Sequence, residues 1–260
     1  MRVFGLAYGV AVYVFFLGTF LYAIGFVGNL IVPKSIDVGG AGAPLVEALA
    51  VDVLFLCLFA IQHSVMARQG FKRVWTRIIP KPLERSTYVL LASAILAGLF
   101  YHWRPITEIV WTVDNAAARQ VLQALFWFGW ATVLISTFLI SHFELFGLKQ
   151  VVKAAQGREV GEMAFKKPGP YRLVRHPLYL GFLIAFWSTP DMTAGHLLFA
   201  VATTGHILIG IALEERDLIG MFGERYRQYR REVRMLLPWP ERADRAAEVT
   251  GAGRLGARDL

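Results

Sequence analysis

Four stretches of this chain run longer without charge than a soluble helix normally does. Residues 6–32, 86–103 and 121–143 contain no Asp, Glu, Lys or Arg, and residues 45–67 carry only Glu47 and Asp52. Each comes close to or exceeds the roughly 20 apolar residues that cross a hydrocarbon core about 30 Å thick. Two further apolar arms, residues 178–189 and 194–213, flank Pro190-Asp191. The expected fold is all-α: a polytopic transmembrane helical bundle of five to six membrane helices, with a C-terminal helical hairpin and a cytoplasmic loop and tail. Composition agrees, since 56% of the 260 residues are apolar and only 18% are charged. The first block is too long for a signal-peptide core and lacks a small-residue cleavage site, so it is expected to be retained.

Charge orients the bundle. The net charge of +8 is not gathered as a nucleic-acid surface would need. Arg68, Lys72, Arg73, Arg77, Lys81 and Arg85 separate the second and third blocks. Lys149, Lys153, Arg158, Lys166, Lys167, Arg172 and Arg175 precede the hairpin, and Arg225, Arg227, Arg230, Arg231 and Arg234 follow it. The connections at 33–44 and 104–120 are much poorer in basic residues. This is the positive-inside pattern, which predicts both termini in the cytoplasm and basic loops beside anionic membrane lipid. Cys57 is the single cysteine, so no intrachain disulfide forms, and no His-x-x-x-His or Cys-x-x-Cys spacing predicts a metal site.

Ionisable residues inside apolar blocks are functional candidates. Asp52 and His63 lie eleven positions apart, which places them on one helix face, about 20° apart in angle and roughly 16 Å apart along the axis. Gln62-His63-Ser64 forms a polar step near the cytoplasmic end, and Ser141, His142 and Glu144 reach the same level from the fourth block. Two histidines and a carboxylate at one level suit proton transfer or substrate placement. The alternative is a packed polar collar, with Asp52 hydrogen-bonding a neighbouring helix. Glu84 and Arg85 enter the membrane with the third block and either pair there or face the same site. The first helix, with Gly5, Gly9, Gly18, Gly25 and Gly28, reads as packing scaffold.

The hairpin poses a geometric problem. Its first arm makes only about 18 Å of helix, too short to cross alone. Either both arms span with a tight turn, or they form a shorter re-entrant hairpin. Both choices return Glu214-Glu215, at the end of the second arm, to the side where Arg175-His176 opens the first. Carboxylates ending an apolar helix are costly unless they meet a cation, a hydroxyl or interfacial water. The polar loop at 145–167, with Gly157 and Gly161, is expected to be mobile. Residues 226–233 read as an amphipathic helix over the hairpin opening, stopped at Pro238 and followed by a frayed tail at 241–260. Gly251-Ala252-Gly253-Arg254-Leu255-Gly256 spells a dinucleotide fingerprint, but no strand precedes it and almost no chain follows for the helix that motif needs.

Arg175-His176-Pro177-Leu178-Tyr179-Leu180-Gly181, with Glu214-Glu215, Tyr226, Tyr229 and Pro238, resembles the integral-membrane methyltransferases related to isoprenylcysteine carboxyl methyltransferase and the phospholipid methyltransferases. The N-terminal half is similar to the bacterial methanethiol S-methyltransferase family. The similarity rests on residues 29–37, Gln62-His63-Ser64-Val65-Met66-Ala67-Arg68, Glu84-Arg85-Ser86-Thr87-Tyr88 and His142-Phe143-Glu144-Leu145-Phe146-Gly147. NnrU-type proteins share part of that half. The resemblance implies S-adenosyl-L-methionine as methyl donor, methanethiol as a small thiol acceptor and dimethyl sulfide as product, at a bacterial inner membrane. It implies that residues 144–240 form the cofactor-binding core and residues 1–143 the substrate side. Tyr171, Arg172, Val174, Arg175, His176 and Tyr179 would line the cofactor, while Glu215, with Glu214 beside it, would accept hydrogen bonds from ribose or amino groups.

A thiolate, not a thiol, is the competent nucleophile, so a proton must leave. His63 is the first candidate base, with His142 and Glu144 as alternates. Three rival readings stay open: the same fold acting on a lipid amine or a prenylated cysteine carboxylate, an NADPH-dependent membrane reductase, and an NnrU-like protein without enzymatic activity.

Overall fold

The computed structural model describes residues 2–40, 42–158 and 167–238. Gly161, Lys166, Trp239, the tail and the glycine run at 251–256 lie outside the described residues. In chain order the elements are α1 (Arg2–Gly28), α2 (Leu45–Ala67), α3 (Gln69–Trp75), α4 (Lys81–His102), β1 (Ile109–Thr112), α5 (Ala116–Ile140), α6 (His142–Leu145), α7 (Leu148–Ala155), α8 (Pro177–Trp187), β2 (Asp191–Thr193), α9 (Ala194–Phe222) and α10 (Glu224–Glu232). Helices α1, α2, α4, α5 and α9 are long and apolar enough to cross a membrane, and no more than 33% of the most apolar window of any of them is buried. Outward residues such as Leu21, Leu54, Phe128, Ile135 and Val201 are exposed and apolar. Apolar surface on that scale suits hydrocarbon as the solvent.

Two spans start earlier than their uncharged cores. Pro82 sits in the first turn of α4, where its missing N–H leaves no orphan, and Asn115 caps α5 by accepting from Ala118 N at 3.0 Å. At the other end α5 stops at Ile140, so His142 and Glu144 belong to the separate turn α6 and do not extend the fourth span.

The helical architecture carries one small addition that apolar patterning did not reveal. Strands β1 and β2 pair antiparallel, with Ile109 opposite Thr193 and Thr112 opposite Asp191. Helix α8 has 11 residues, about 16 Å, and a tight turn in which Thr189 N donates to Trp187 O at 3.1 Å leads from it toward the ribbon. Arg119, at the start of α5, grips Asp191 through two hydrogen bonds of 2.9 and 2.6 Å. The hairpin tip therefore reaches the far end of the bundle, where the α4–α5 connection lies, and is not the shorter re-entrant form.

Helix α8 lies on α5 with the backbones almost in contact. A Cβ on Gly129 would stand 2.7 Å from Gly181 O, and a Cβ on Gly181 would stand 2.7 Å from Gly129 O. Beyond this seam Phe26, Phe100, Trp103, Trp130, Phe186 and Phe199 fill the core, with contacts such as Phe26–Trp103 at 5.7 Å and 88°.

Helix α9 corrects the expected end of the hairpin. It has 29 residues and continues to Phe222, so Glu214-Glu215 lie inside the helix and not at its end. Leu218, Ile219 and Phe222 prolong the apolar face and pack against Tyr226, Tyr229 and Val233, which rewards the two extra turns. The carboxylates are tolerated there because each finds partners.

Candidate active site

The chain entering α8 is held by the segment that follows α10. Val174 bridges Arg234, Arg175 N donates to Arg234 O at 2.7 Å, and His176 N donates to Met235 O at 3.1 Å. These bonds aim Arg175 and His176 at α9. Glu215 Oε1 meets Arg175 Nε at 2.7 Å and His176 Nε2 at 3.1 Å, while Oε2 meets Arg230 Nε at 3.0 Å. Arg175 Nη1 also donates to Val233 O at 2.5 Å and Arg230 O at 3.2 Å. A buried carboxylate is stable only when its charge and lone pairs are met in this way. Glu215 and the Arg175-His176 turn thus touch directly. A cleft of about 350 Å³ lies on their flank, with Ile211, Glu215, Ile219, Arg230 and Met235 in its lining.

Glu214 faces another way. It accepts from Tyr179 Oη at 2.9 Å, His176 Nδ1 is 4.0 Å away, and 42% of its side chain is exposed. Tyr171 approaches from the turn before α8, where its carbonyl accepts from Tyr229 Oη at 2.5 Å. The hydroxyls of Tyr171 and Ser136 are buried close together, and neither reaches good hydrogen-bond geometry with the protein. Burial, followed by the Glu214 charge, pushes the Tyr171 hydroxyl above its ordinary range, so it stays a neutral donor. Burial likewise pushes Tyr229 up to about 12. Arg172 turns outward, its Nε donating to Lys167 O at 3.3 Å, and Val174 is buried in the bridge as scaffold.

His63 borders the same region from α2. Tyr88 Oη lies 2.9 Å from its Nδ1 and 3.0 Å from its Nε2. Phe59 stacks on the imidazole at 5.1 Å and His206 meets it edge-on at 5.8 Å. Arg68, just past α2, pairs with Asp217 of α9 at 2.9 Å. Tyr88 and Tyr179 both lie within electrostatic reach of Glu214 and Arg68, so the imidazole and the free carboxylate share one neighbourhood.

His142 and Glu144 have partners of their own. His142 meets Tyr13 Oη at 2.9 Å and Thr137 Oγ1 at 2.8 Å, one on each ring nitrogen, and stacks on Phe138 at 4.2 Å. Glu144 binds Lys149 Nζ at 2.6 Å and Ser141 Oγ at 3.1 Å. That geometry fits the polar-collar alternative, joining α5, α6 and α7 to α1. Asp52 is buried at the far end and accepts from Arg104 N at 2.8 Å, tying α2 to the chain beyond α4.

Tyr88, His206, Asp217 and Arg230 were not singled out as site residues from sequence. His206 carries the signal that flagged His63, an ionisable group in an apolar arm. Arg230 carries none, being one arginine among many in α10.

An all-helical polytopic bundle whose last hairpin gathers tyrosines, arginines and carboxylates at its basic end defines an integral-membrane protein with a polar site at one end of its spans. The chain is 56% identical to the methanethiol S-methyltransferase of Mycobacterium tuberculosis, over 90% of its own length and 96% of that protein. It is 51% identical to the methanethiol S-methyltransferase of Crocosphaera subtropica, over 92% and 93% of the two chains. Nurim of Danio rerio is 32% identical over 61% of this chain and 60% of that protein. No family model and no solved structure matches the chain. The chain belongs to the methanethiol S-methyltransferase family.

Proposed function

We propose that this protein transfers a methyl group from S-adenosyl-L-methionine to methanethiol, forming dimethyl sulfide at a bacterial inner membrane, with both termini cytoplasmic. The observation that carries the reading is the set of unsatisfied polar groups around Glu214. Tyr171 Oη and Ser136 Oγ are buried without a well-formed protein hydrogen bond, and Glu214 keeps an exposed carboxylate with a single hydrogen bond among the described residues. Hydroxyls and a carboxylate suit ribose hydroxyl and ammonium groups, so the residues fit the nucleotide donor. When bound, that donor supplies a methyl group on a positively charged sulfur.

Glu214 is the carboxylate open to a ligand, and Glu215 serves to fix Arg175, His176 and Arg230. The faces of Tyr88, Tyr179 and Phe59 suit a cation in a dry site. His63 takes the thiol proton, and the aromatic core excludes water and presents an apolar approach for a small volatile thiol. Most of the rate then comes from positioning and desolvation. The clustering of basic residues between alternate spans supports the orientation.

Purified protein given isotopically labelled S-adenosyl-L-methionine and methanethiol should release labelled dimethyl sulfide into the headspace. Donor binding without that product, together with turnover of a lipid amine or a prenylated cysteine, overturns the assigned acceptor.

A further inference from the structure

The donor that the Glu214 site suits ends in an amino acid, so beside its ammonium it carries a carboxylate, which needs a cation of its own. Most arginines near Glu214 are already engaged. Arg175 and Arg230 hold Glu215, Arg68 pairs with Asp217 at 2.9 Å, and Arg172 turns outward. Arg85 differs. It lies three residues before Tyr88 in α4 and turns its guanidinium toward that ring, with Cζ 5.8 Å from the centroid, near the limit of a cation–π contact. The group is half-buried and makes no hydrogen bond or ion pair with the described residues, the adjacent Glu84 included. Its planar fork of N–H donors is thus open to a bidentate anion. Lys72 of α3 stands near it, and its ammonium likewise has no hydrogen bond or ion pair among the described residues. Burial, followed by the Arg85 charge, holds that ammonium below its ordinary range. Within reach of Lys72 are Arg85 and Arg68 against Glu84 and Asp217, so with Lys72 itself the cations outnumber the carboxylates.

We propose that Arg85 binds the carboxylate of the donor's amino-acid end while Glu214 takes the ammonium, with Lys72 adding positive charge beside Arg85. This rests on the methyl-transfer reading above. The two charges of an amino acid sit on one carbon, so their partners must be neighbours. Arg85 and Glu214 meet that condition, since both lie within electrostatic reach of the Tyr88 hydroxyl. Two methylene groups separate the same carbon from the sulfonium, and a grip on both its charges limits where the reactive methyl can lie. The substrate-side half of the chain thereby supplies part of the donor site, from α3 and the start of α4.

Calorimetric titration of the full chain in detergent with S-adenosyl-L-methionine and with its decarboxylated analogue reads this contact directly. The unaltered protein should bind the intact donor roughly 10- to 100-fold more tightly, the range of a hydrogen bond to a charged group. Arg85→Gln should bind the two ligands alike, having lost the preference but not the affinity for the analogue. Lys72→Gln should narrow the preference by less. A preference that survives in Arg85→Gln, or an equal weakening of both ligands, overturns the proposal. Should Arg85→Gln fail to fold, Arg85→Lys keeps the charge without the fork, and an undiminished preference there overturns it as well. Binding of both ligands by the unaltered protein without preference overturns the proposal alone. Binding of neither overturns the methyl-transfer reading, and the proposal with it.

Discussion

Arg175 and Glu215, 40 residues apart in the chain, meet at 2.7 Å with side chains only 10% and 8% exposed. With His176 and Arg230 on the same carboxylate, this contact fastens the start of α8, the inner part of α9 and α10 to one another. It ties α8, α9 and α10 into a single mechanical unit, on which the position of Glu214 depends.

Glu215→Ala strands a buried guanidinium, a loss on the order of 3–5 kcal/mol. Arg230→Ala removes a partner that is 44% exposed, and screening holds that loss to about 1 kcal/mol or less. Thermal unfolding in detergent should rank the variants in that order. Equal losses would mean that the cluster is a solvated surface feature.

The α5–α8 seam should reject even one methyl group. Gly129→Ala places a Cβ 2.6 Å from Ala185 N, against backbone that cannot step aside. Separating the helices should cost about 1–3 kcal/mol. Gly210→Ala meets nothing within 4 Å and should stabilise α9 by up to about 1 kcal/mol through helix propensity. Melting temperatures that move the same way in both variants would remove the close contact as their cause.

Donor binding and turnover should separate by residue. Tyr179→Phe deletes the hydrogen bond that orients Glu214 and should weaken binding of S-adenosyl-L-methionine about tenfold, the effect of roughly 1.4 kcal/mol. His63→Ala should leave donor binding nearly unchanged while cutting turnover roughly 10²- to 10⁴-fold. Calorimetric titration beside initial rates tests both. Equal loss of binding and turnover in His63→Ala would refute its role as proton acceptor.

Glu144 gives a pH signature in stability of its own. Burial raises its carboxyl, but the Lys149 ammonium at 2.6 Å and the Ser141 hydroxyl outweigh that and hold it below its ordinary 4.5. A lowered folded-state value means the stabilisation is fully present above the ordinary carboxyl range and is lost as pH falls through the lowered one. With Lys149 40% exposed, the effect stays under about 1 kcal/mol. Glu144→Gln should melt slightly below the unaltered protein at pH 7 and match it in acid. A gap that persists in acid would point to packing, not charge.

The long spans and their order followed from composition, because a helix immersed in hydrocarbon must be apolar around its whole circumference and local sequence is enough to show it. The meeting of Arg175-His176 with Glu214-Glu215 was legible for a similar reason, since any hairpin returns its two ends to one side. Which carboxylate stays open was not legible. Adjacent helical residues point about 100° apart, and only the packing of α8, α10 and the segment after it turned Glu215 onto Arg175, His176 and Arg230 and Glu214 toward Tyr179. Tyr88 could be matched to His63 only once α4 lay against α2, and the β1–β2 ribbon formed from two segments too short and too distant in sequence to announce themselves. Apolarity is written residue by residue, whereas a hydrogen bond needs two chain segments brought to within 3 Å, and that meeting exists only in the folded molecule.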